Sequence, residues 1–335
     1  MDQKVLLDVV GIGSPMIDVV AQVDDGLLER LNLPKGSMTL VDRERATSIY
    51  ASMPAAIESS GGSASNTLAG LASLGGRAGF IGKVAMDEMG EVFTHDIIAT
   101  GVEFEAALAR EGSGSTARCL VLVSEDAERT LATHLGVAKT FDMGDVDEDL
   151  LSRTKITYLE GYLFDLPPAK EAMRQSLEIT RKHGGSVAIT LSDSFCVDRH
   201  RKDFLSLVYG KVDLVFANET EAMSLFESST LDVAIEEFQE TGAVAAITLG
   251  ARGSVIVTPT NIIEVPAWID GPVIDSNGAG DLYAAGFLYG IVNGLGHYES
   301  ARLGSLCAGE IITHLGARPK INLYRLAIEK GFLQA

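Results

Sequence analysis

The chain has 335 residues, of which 46% are hydrophobic, enough to bury a large core as one big α/β domain or as two smaller ones. Its formal charge of −19 excludes nucleic acid and an anionic membrane surface as expected partners, because both need clustered Lys and Arg. Any phosphate must be held by local groups. Cys119, Cys196 and Cys307 lie far apart, which suggests free thiols and neither a disulfide frame nor a zinc site. Met1-Asp2-Gln3-Lys4 leads into a strand pattern without the charged and apolar regions of a signal peptide, and no run reaches membrane-spanning length, so a cytoplasmic protein is expected.

In chain order, short apolar runs alternate with helical patterns, as in a mainly parallel sheet flanked by helices. Strands are predicted at Val5 to Ile12, Ala78 to Ile81, Ile156 to Leu159, Ser186 to Leu191, Asp213 to Phe216 and Val244 to Leu249. Helices are predicted at Ser65 to Leu74, Pro168 to His183, Leu231 to Glu240, Gly280 to Val292 and Glu299 to His314. Val19 to Val41 and Arg118 to His134 break this rhythm with alternating apolar residues, and are expected to pair as a small antiparallel layer over one end of the sheet. That layer is either a lid over a cleft or a hairpin excursion with no role in closure. No low-complexity linker or internal repeat marks a boundary between independently folding domains.

Asp275-Ser276-Asn277-Gly278-Ala279-Gly280-Asp281 carries the most information about function. Leu282, Ala285, Leu288, Tyr289 and Val292 recur at helical spacing behind it, so Gly278 to Asp281 should open a helix. Orphan N–H groups and glycines without Cβ make such a start an anion hole. Asp281 beside it could accept the proton of an attacking hydroxyl while phosphoryl charge rests on the amides. Alternatively, Asp281 only caps the helix.

Gly61-Gly62-Ser63-Ala64-Ser65-Asn66 again sets bare backbone at a helix start. Asn66 and Asp18 suit vicinal hydroxyls; each alone is more often a cap or turn residue, but their shared position near strand ends favours a ligand. Gly11-Ile12-Gly13 lacks the third glycine of a dinucleotide-binding turn, and Met16 stands in its place. No P-loop Gly-Lys-Ser or Gly-Lys-Thr occurs. Asn218 and Glu221 have the step of a capping box, or else organise waters around Mg²⁺. Thr248-Leu249-Gly250-Ala251-Arg252-Gly253 is a hairpin signal whose glycines could also let a nucleotide lie against the backbone.

Taken in order, these motifs resemble the PfkB family of carbohydrate kinases, also called ribokinase-like. The resemblance spans nearly the whole chain and adds Gly82-Lys83-Val84 with Asp87 and Gly90 to the segments above. It implies a three-layer α/β/α fold with a mainly parallel sheet and a small β-sheet lid, in a single domain over 1–335 whose lid spans about 16–60 and 104–136. It also implies an ATP-dependent kinase using Mg²⁺, with K⁺ beside Asp275. Asp281 would be the general base, with Asn277, Gly278, Ala279 and Gly280 around the anion hole. Asp18, Gly62, Ser63 and Asn66 would bind the acceptor, Asn218, Thr248, Gly250 and Gly253 the nucleotide, and Asn218 with Glu221 would organise Mg²⁺ through water.

Asn277, Ser63, Gly13-Ser14-Pro15 before Asp18, and Leu191 to Phe195 look most similar to the adenosine kinase branch. The expected acceptor is therefore the 5′-hydroxyl of a nucleoside, adenosine first, with a free sugar or sugar phosphate as the alternative and a non-catalytic nucleoside-binding protein as the contrasting class. Leu68, Ala85 and Ser14 depart from the family pattern and weaken the choice of acceptor, not the choice of reaction. Tyr162, Phe164 and Phe195 are candidates for an adenine slot, or are ordinary core aromatics. Arg129 matches an arginine of the family and either reaches transferring phosphate or is solvated. An exposed edge of the small layer could pair two copies, so a monomer or a homodimer is expected.

Overall fold

The computed structural model describes residues 6–110 and 112–334. Val5, expected to start the first strand, and Met1 to Lys4 lie outside the described residues. Among the described residues, nine strands form the main sheet. In spatial order they are Ile262–Val265, Ser254–Val257, Val244–Thr248, Leu214–Asn218, Ser186–Thr190, Thr154–Glu160, Leu7–Ile12, Ala78–Ile81 and Glu103–Phe104. Pairing is parallel except where Ser254–Val257 meets its two neighbours. The six predicted strands sit together within this sheet, each within a residue or two of its expected bounds.

Period-two alternation sends successive strand side chains to opposite faces, and both faces are apolar because helices cover both. Val10, Ile12, Leu159, Ile189, Val215 and Ile247 pack toward helices Pro167–Lys182, Ser194–Val208 and Leu231–Thr241. Val9, Ile156, Tyr158, Ala188, Phe216 and Ala246 face helices Ser63–Ser73, Ala279–Val292 and His297–Ile311. Three layers result, as expected. Aspartates start several helices by accepting from an N–H of the first turn: Asp24, Asp42, Asp87 and Asp193 all do so. No described helix is long and apolar enough to cross a membrane.

The small sheet runs Met38–Leu40, Arg129–His134, Ala117–Val123, Met16–Gln22, Ile57–Gly61. Its pairing corrects the expected antiparallel layer. The two predicted segments meet in parallel, with Val19 opposite Leu120 and Leu131 opposite Met38. Only Ala117–Val123 with Arg129–His134, and Met16–Gln22 with Ile57–Gly61, are antiparallel. The chain passes through the main sheet between residues 61 and 117, so it re-enters the small sheet free of the reversal that a tight hairpin imposes.

Alternation again decides what this sheet presents. Val19, Ala21, Leu120, Leu122 and Ala132 pack under the short helices Asp25–Arg30 and Arg43–Tyr50. Asp18, Cys119, Val121, Leu131 and Thr133 therefore fall on the face that lines the cavity above the main sheet.

Candidate active site

A cavity of about 320 Å³ lies between the carboxyl ends of the parallel strands and the small sheet. Glu160, Thr190, Asn218 and Thr248, the last residues of four strands, all line it, the usual position for a ligand in an open parallel sheet. The opposite wall, from the small sheet and its approaches, is mostly apolar: Met16, Met38, Leu40, Val121, Leu131 and Leu135.

Asp281 sits in the first turn of helix Ala279–Val292 and lines the cavity. It does not serve as the helix cap. That place belongs to Gly278, in the left-handed region at φ 78°, where a Cβ would meet Ala317 at 2.7 Å. The Asp281 carboxylate instead accepts from Ser63 Oγ at 2.7 Å and from Asn66 Nδ2 at 3.0 Å. Burial raises its pKa above the usual carboxylate range, while these two hydrogen bonds, Arg129 and Arg318 oppose the rise. Such a carboxylate is an effective proton acceptor near neutral pH.

Asn277, Gly278, Ala279 and Gly280 also line the cavity. Outside its own stretch of helix and among the described residues, a Cβ on Gly280 would meet nothing within 4 Å, so the glycine borders open space. That space lies at a helix start, where N–H groups lack helical partners and favour an anion. Among the described residues Asn277 Nδ2 and Asn66 Oδ1 are buried without a partner, leaving one donor and one acceptor for a polar ligand. Asn277 Oδ1 accepts from Arg129 Nη1 at 3.2 Å, and Ser276 Oγ donates to Ala127 O at 3.1 Å. The small sheet thus touches the Asp275–Asp281 run directly, and Arg129 points inward.

Asp18, Gly62, Ser63 and Asn66 share the lining. Asp18 lies so close to Gly61 that a Cβ there would fall 2.1 Å from the carboxylate, which explains the first glycine of the pair. Burial pushes the Asp18 carboxyl up to about 7; Arg318 lowers it, and Asp281 and Asp275 raise it further.

Asn218 and Glu221 form a complete capping box: Asn218 Oδ1 accepts from Glu221 N at 2.8 Å, and Asn218 N donates to Glu221 Oε2 at 3.0 Å. Asn218 Nδ2 also donates to Glu221 Oε1 at 2.7 Å. Both residues line the cavity, and burial pushes Glu221 up to about 7. Because both carboxylate oxygens are already engaged, a Mg²⁺ ion carried on a nucleotide would meet this pair through water.

Several expected site residues lie elsewhere. Phe164 is fully buried and packs on Phe204 with ring centroids 4.5 Å apart, so it belongs to the core beneath the sheet and not to a base slot. Phe195 opens helix Ser194–Val208, is 53% exposed, and does not line the cavity. Tyr162 does line it, with its hydroxyl donating to Ser192 O at 3.2 Å. Of the proposed nucleotide segment only Thr248 reaches the cavity; Gly250 and Gly253 build the turn that reverses the chain between antiparallel strands. Asp275 is wholly buried behind the lining, where it accepts from Asn277 N at 2.8 Å and Gly316 N at 2.9 Å and ties two loops together.

Glu160 was missed by the sequence reading. It is 1% exposed, lines the cavity, and accepts from Ala64 N at 3.0 Å and Ser14 N at 3.4 Å. Burial pushes its carboxyl up to about 7. The available signal was an acid immediately after the apolar run Ile156 to Leu159, at the carboxyl end of a buried strand.

The fold and sequence have clear relatives. An adenosine kinase from Sinorhizobium meliloti superposes with a TM-score of 0.94 at 46% identity, covering 97% of this chain and 99% of that one. A probable sugar kinase from Rhizobium etli CFN 42 gives 0.96 at 41% identity, covering 98% and 100%. The 5-dehydro-2-deoxygluconokinase of Geobacillus kaustophilus (strain HTA426) is 25% identical over 263 residues, 76% of this chain and 78% of the relative. The model of the pfkB family carbohydrate kinases matches residues 41–322, and the chain belongs to that family of ATP-dependent kinases.

Proposed function

We propose that this kinase phosphorylates the 5′-hydroxyl of a nucleoside, adenosine first. The observation that carries the choice of acceptor is the apolar wall of the small sheet, where Met16, Met38, Leu40, Val121, Leu131 and Leu135 surround Asp18 and face a polar floor of Ser63, Asn66 and Asp281. A ribose would use the floor, and the flat apolar faces of a purine would cover the wall. Tyr162 contributes an aromatic edge. The likeness to a protein named adenosine kinase at 46% identity supports this acceptor. The likeness at 41% to a protein named a sugar kinase supports the second reading, a free sugar or sugar phosphate.

In the proposed reaction the small sheet acts as a lid that excludes water and presses the acceptor onto the floor. Asp18 and Asn66 Oδ1 accept from ribose hydroxyls and fix the sugar, so the 5′-oxygen meets the Asp281 carboxylate, which takes its proton as the oxygen bonds to the γ-phosphorus of ATP and the bond from that phosphorus to the β,γ-bridging oxygen breaks, releasing ADP. The N–H groups of Gly278 and Gly280, Nδ2 of Asn277 and the Arg129 guanidinium hold the charge on the transferred group. Asn218 and Glu221 would hold waters of a Mg²⁺ ion carried on the nucleotide, which would supply neutralisation of phosphate charge.

Acceptor-dependent ADP formation with adenosine, other nucleosides, ribose and fructose phosphates tests this reading. A kcat/KM for adenosine well above that for every sugar supports it; a preference for a sugar or sugar phosphate moves the assignment to the second reading.

A further inference from the structure

A half-buried cation, Arg318, stands behind the floor of the cavity without lining it. Arg318 follows the helix His297–Ile311, and its Nε donates to Ser60 O at 3.1 Å while its Nη2 donates to Ser65 Oγ at 3.0 Å. Ser65 Oγ in turn donates to Gly61 O at 2.6 Å and lies 3.0 Å from Gly62 O. The guanidinium therefore grips both ends of the turn from Ser60 to Ser65. This turn carries Gly61, against which Asp18 rests, and leads into Ser63 and Asn66, the two donors to Asp281.

We infer that Arg318 is a positioning residue for phosphoryl transfer, holding the Ser60–Ser65 turn so that Ser63, Asn66 and Asp18 keep the geometry that Asp281 and the acceptor require. The inference rests on Asp281 being the base. It reaches 258 positions along the chain, from the C-terminal loop to Ser60, and joins the small sheet, the helix Ser63–Ser73 and the loop after His297–Ile311 at one side chain.

Charge points the same way as geometry. Arg318 faces Asp18 from the strand Met16–Gln22, Asp96 from the helix Glu88–Ala99, and Asp281 from the helix Ala279–Val292. Ser60 Oγ donates to Asp96 Oδ2 at 2.8 Å, so the same turn is anchored to that acid as well. The other charged groups around Asp281 and Asp18 are Arg129, Asp275, Glu160 and Glu221. Burial pulls the Arg318 guanidinium down to about 10, and it still carries its charge at neutral pH. Among these neighbours Arg129 belongs to the small sheet, whereas Arg318 stands in the loop after the helix His297–Ile311 and reaches that sheet through Ser60.

The test compares Arg318→Gln with Arg318→Lys in the full chain, using adenosine or whichever panel acceptor supports ADP formation. Gln keeps hydrogen bonding and removes the charge; Lys keeps the charge and loses the fork. The expected result for Arg318→Gln is a kcat/KM for the acceptor lowered about tenfold or more, KM for ATP within about twofold of the parent, and an acidic limb of kcat/KM moved to higher pH, because an ionised Asp281 loses a favourable neighbour. Arg318→Lys should leave that limb in place while losing part of the rate. Parent-like kcat/KM and limb in Arg318→Gln overturn the inference, as does failure of both variants to fold, which would make the role structural only. Asp281→Asn, run beside them, reports separately on the base: near-parent turnover there removes Asp281 from the reaction whatever Arg318 does.

Discussion

Ser63 Oγ donates to Asp281 Oδ1 at 2.7 Å across 218 positions of sequence, bringing the first turn of one helix onto the acid in the first turn of another. Both residues were expected in the site from their own motifs, but Ser63 was expected against the acceptor. Its position makes it an orienting group for the carboxylate, in partnership with Asn66 Nδ2 at 3.0 Å. Hydrogen bonds to the ionised form oppose the upward push of burial on Asp281. Ser63→Ala should therefore move the acidic limb of kcat/KM to higher pH and lower turnover at neutral pH by about tenfold, while KM for ATP stays close to the parent value. The pH profile of initial rates checks this; an unmoved limb would assign Ser63 to another task.

Gly280 separates ligand demands from folding demands. Because a Cβ there meets nothing within 4 Å among the described residues outside its own stretch of helix, Gly280→Ala should leave stability unchanged or raise it by about 0.5–1 kcal/mol, as expected for replacing glycine in a helix. The same methyl would enter the space proposed for transferring phosphate, so turnover should fall by about 10² or more. Denaturant unfolding and steady-state rates on one preparation read both effects. Loss of stability with activity preserved would mean that the glycine serves the fold.

Arg129 reaches Asn277 at 3.2 Å and is the small sheet's charged contact with the anion hole. Arg129→Met should reduce kcat more than it weakens acceptor binding, since the proposed task is stabilising charge that develops during transfer. Arg129→Lys should recover only part of the rate, because the planar fork is lost while the charge remains. An effect confined to KM would place Arg129 in ground-state binding instead.

Buried carboxylates set the pH dependence of stability. Asp18, Glu160 and Glu221 are each pushed up to about 7 by burial, from ordinary values of 3.8, 4.5 and 4.5. The folded state binds these protons more tightly than the unfolded chain. Their contribution is thus fully present below about 4 and is lost as pH rises through about 7. Denaturation midpoints of the ligand-free protein should be higher at pH 5.5 than at pH 8, and Asp18→Asn should reduce the difference. A midpoint that rises from pH 5.5 to 8 would contradict these shifts.

Local chemistry made much of this architecture legible in the sequence. The run Ala78 to Ile81 is a strand with those bounds, since a continuous apolar segment between turn signals fits a strand buried on both faces. Gly61-Gly62 and Gly278 to Asp281 were readable because each couples bare backbone to a helix start. What pairing, long-range contacts and side-chain direction decide was not readable. Phe164 and Tyr162 are two residues apart with similar composition around them, yet one enters the core and the other the cavity. The parallel register of Asp18 with Cys119 depends on a connection through the main sheet. Arg318 carries no local pattern at all, because its partners lie some 250 residues away.

Turnover of Asp281→Asn with the preferred acceptor tests the central claim, that this carboxylate takes the proton of the attacking hydroxyl, most directly. The expected result is a fall of about 10² or more in kcat with the fold and ATP binding nearly intact. A variant that turns over at close to the parent rate would contradict it.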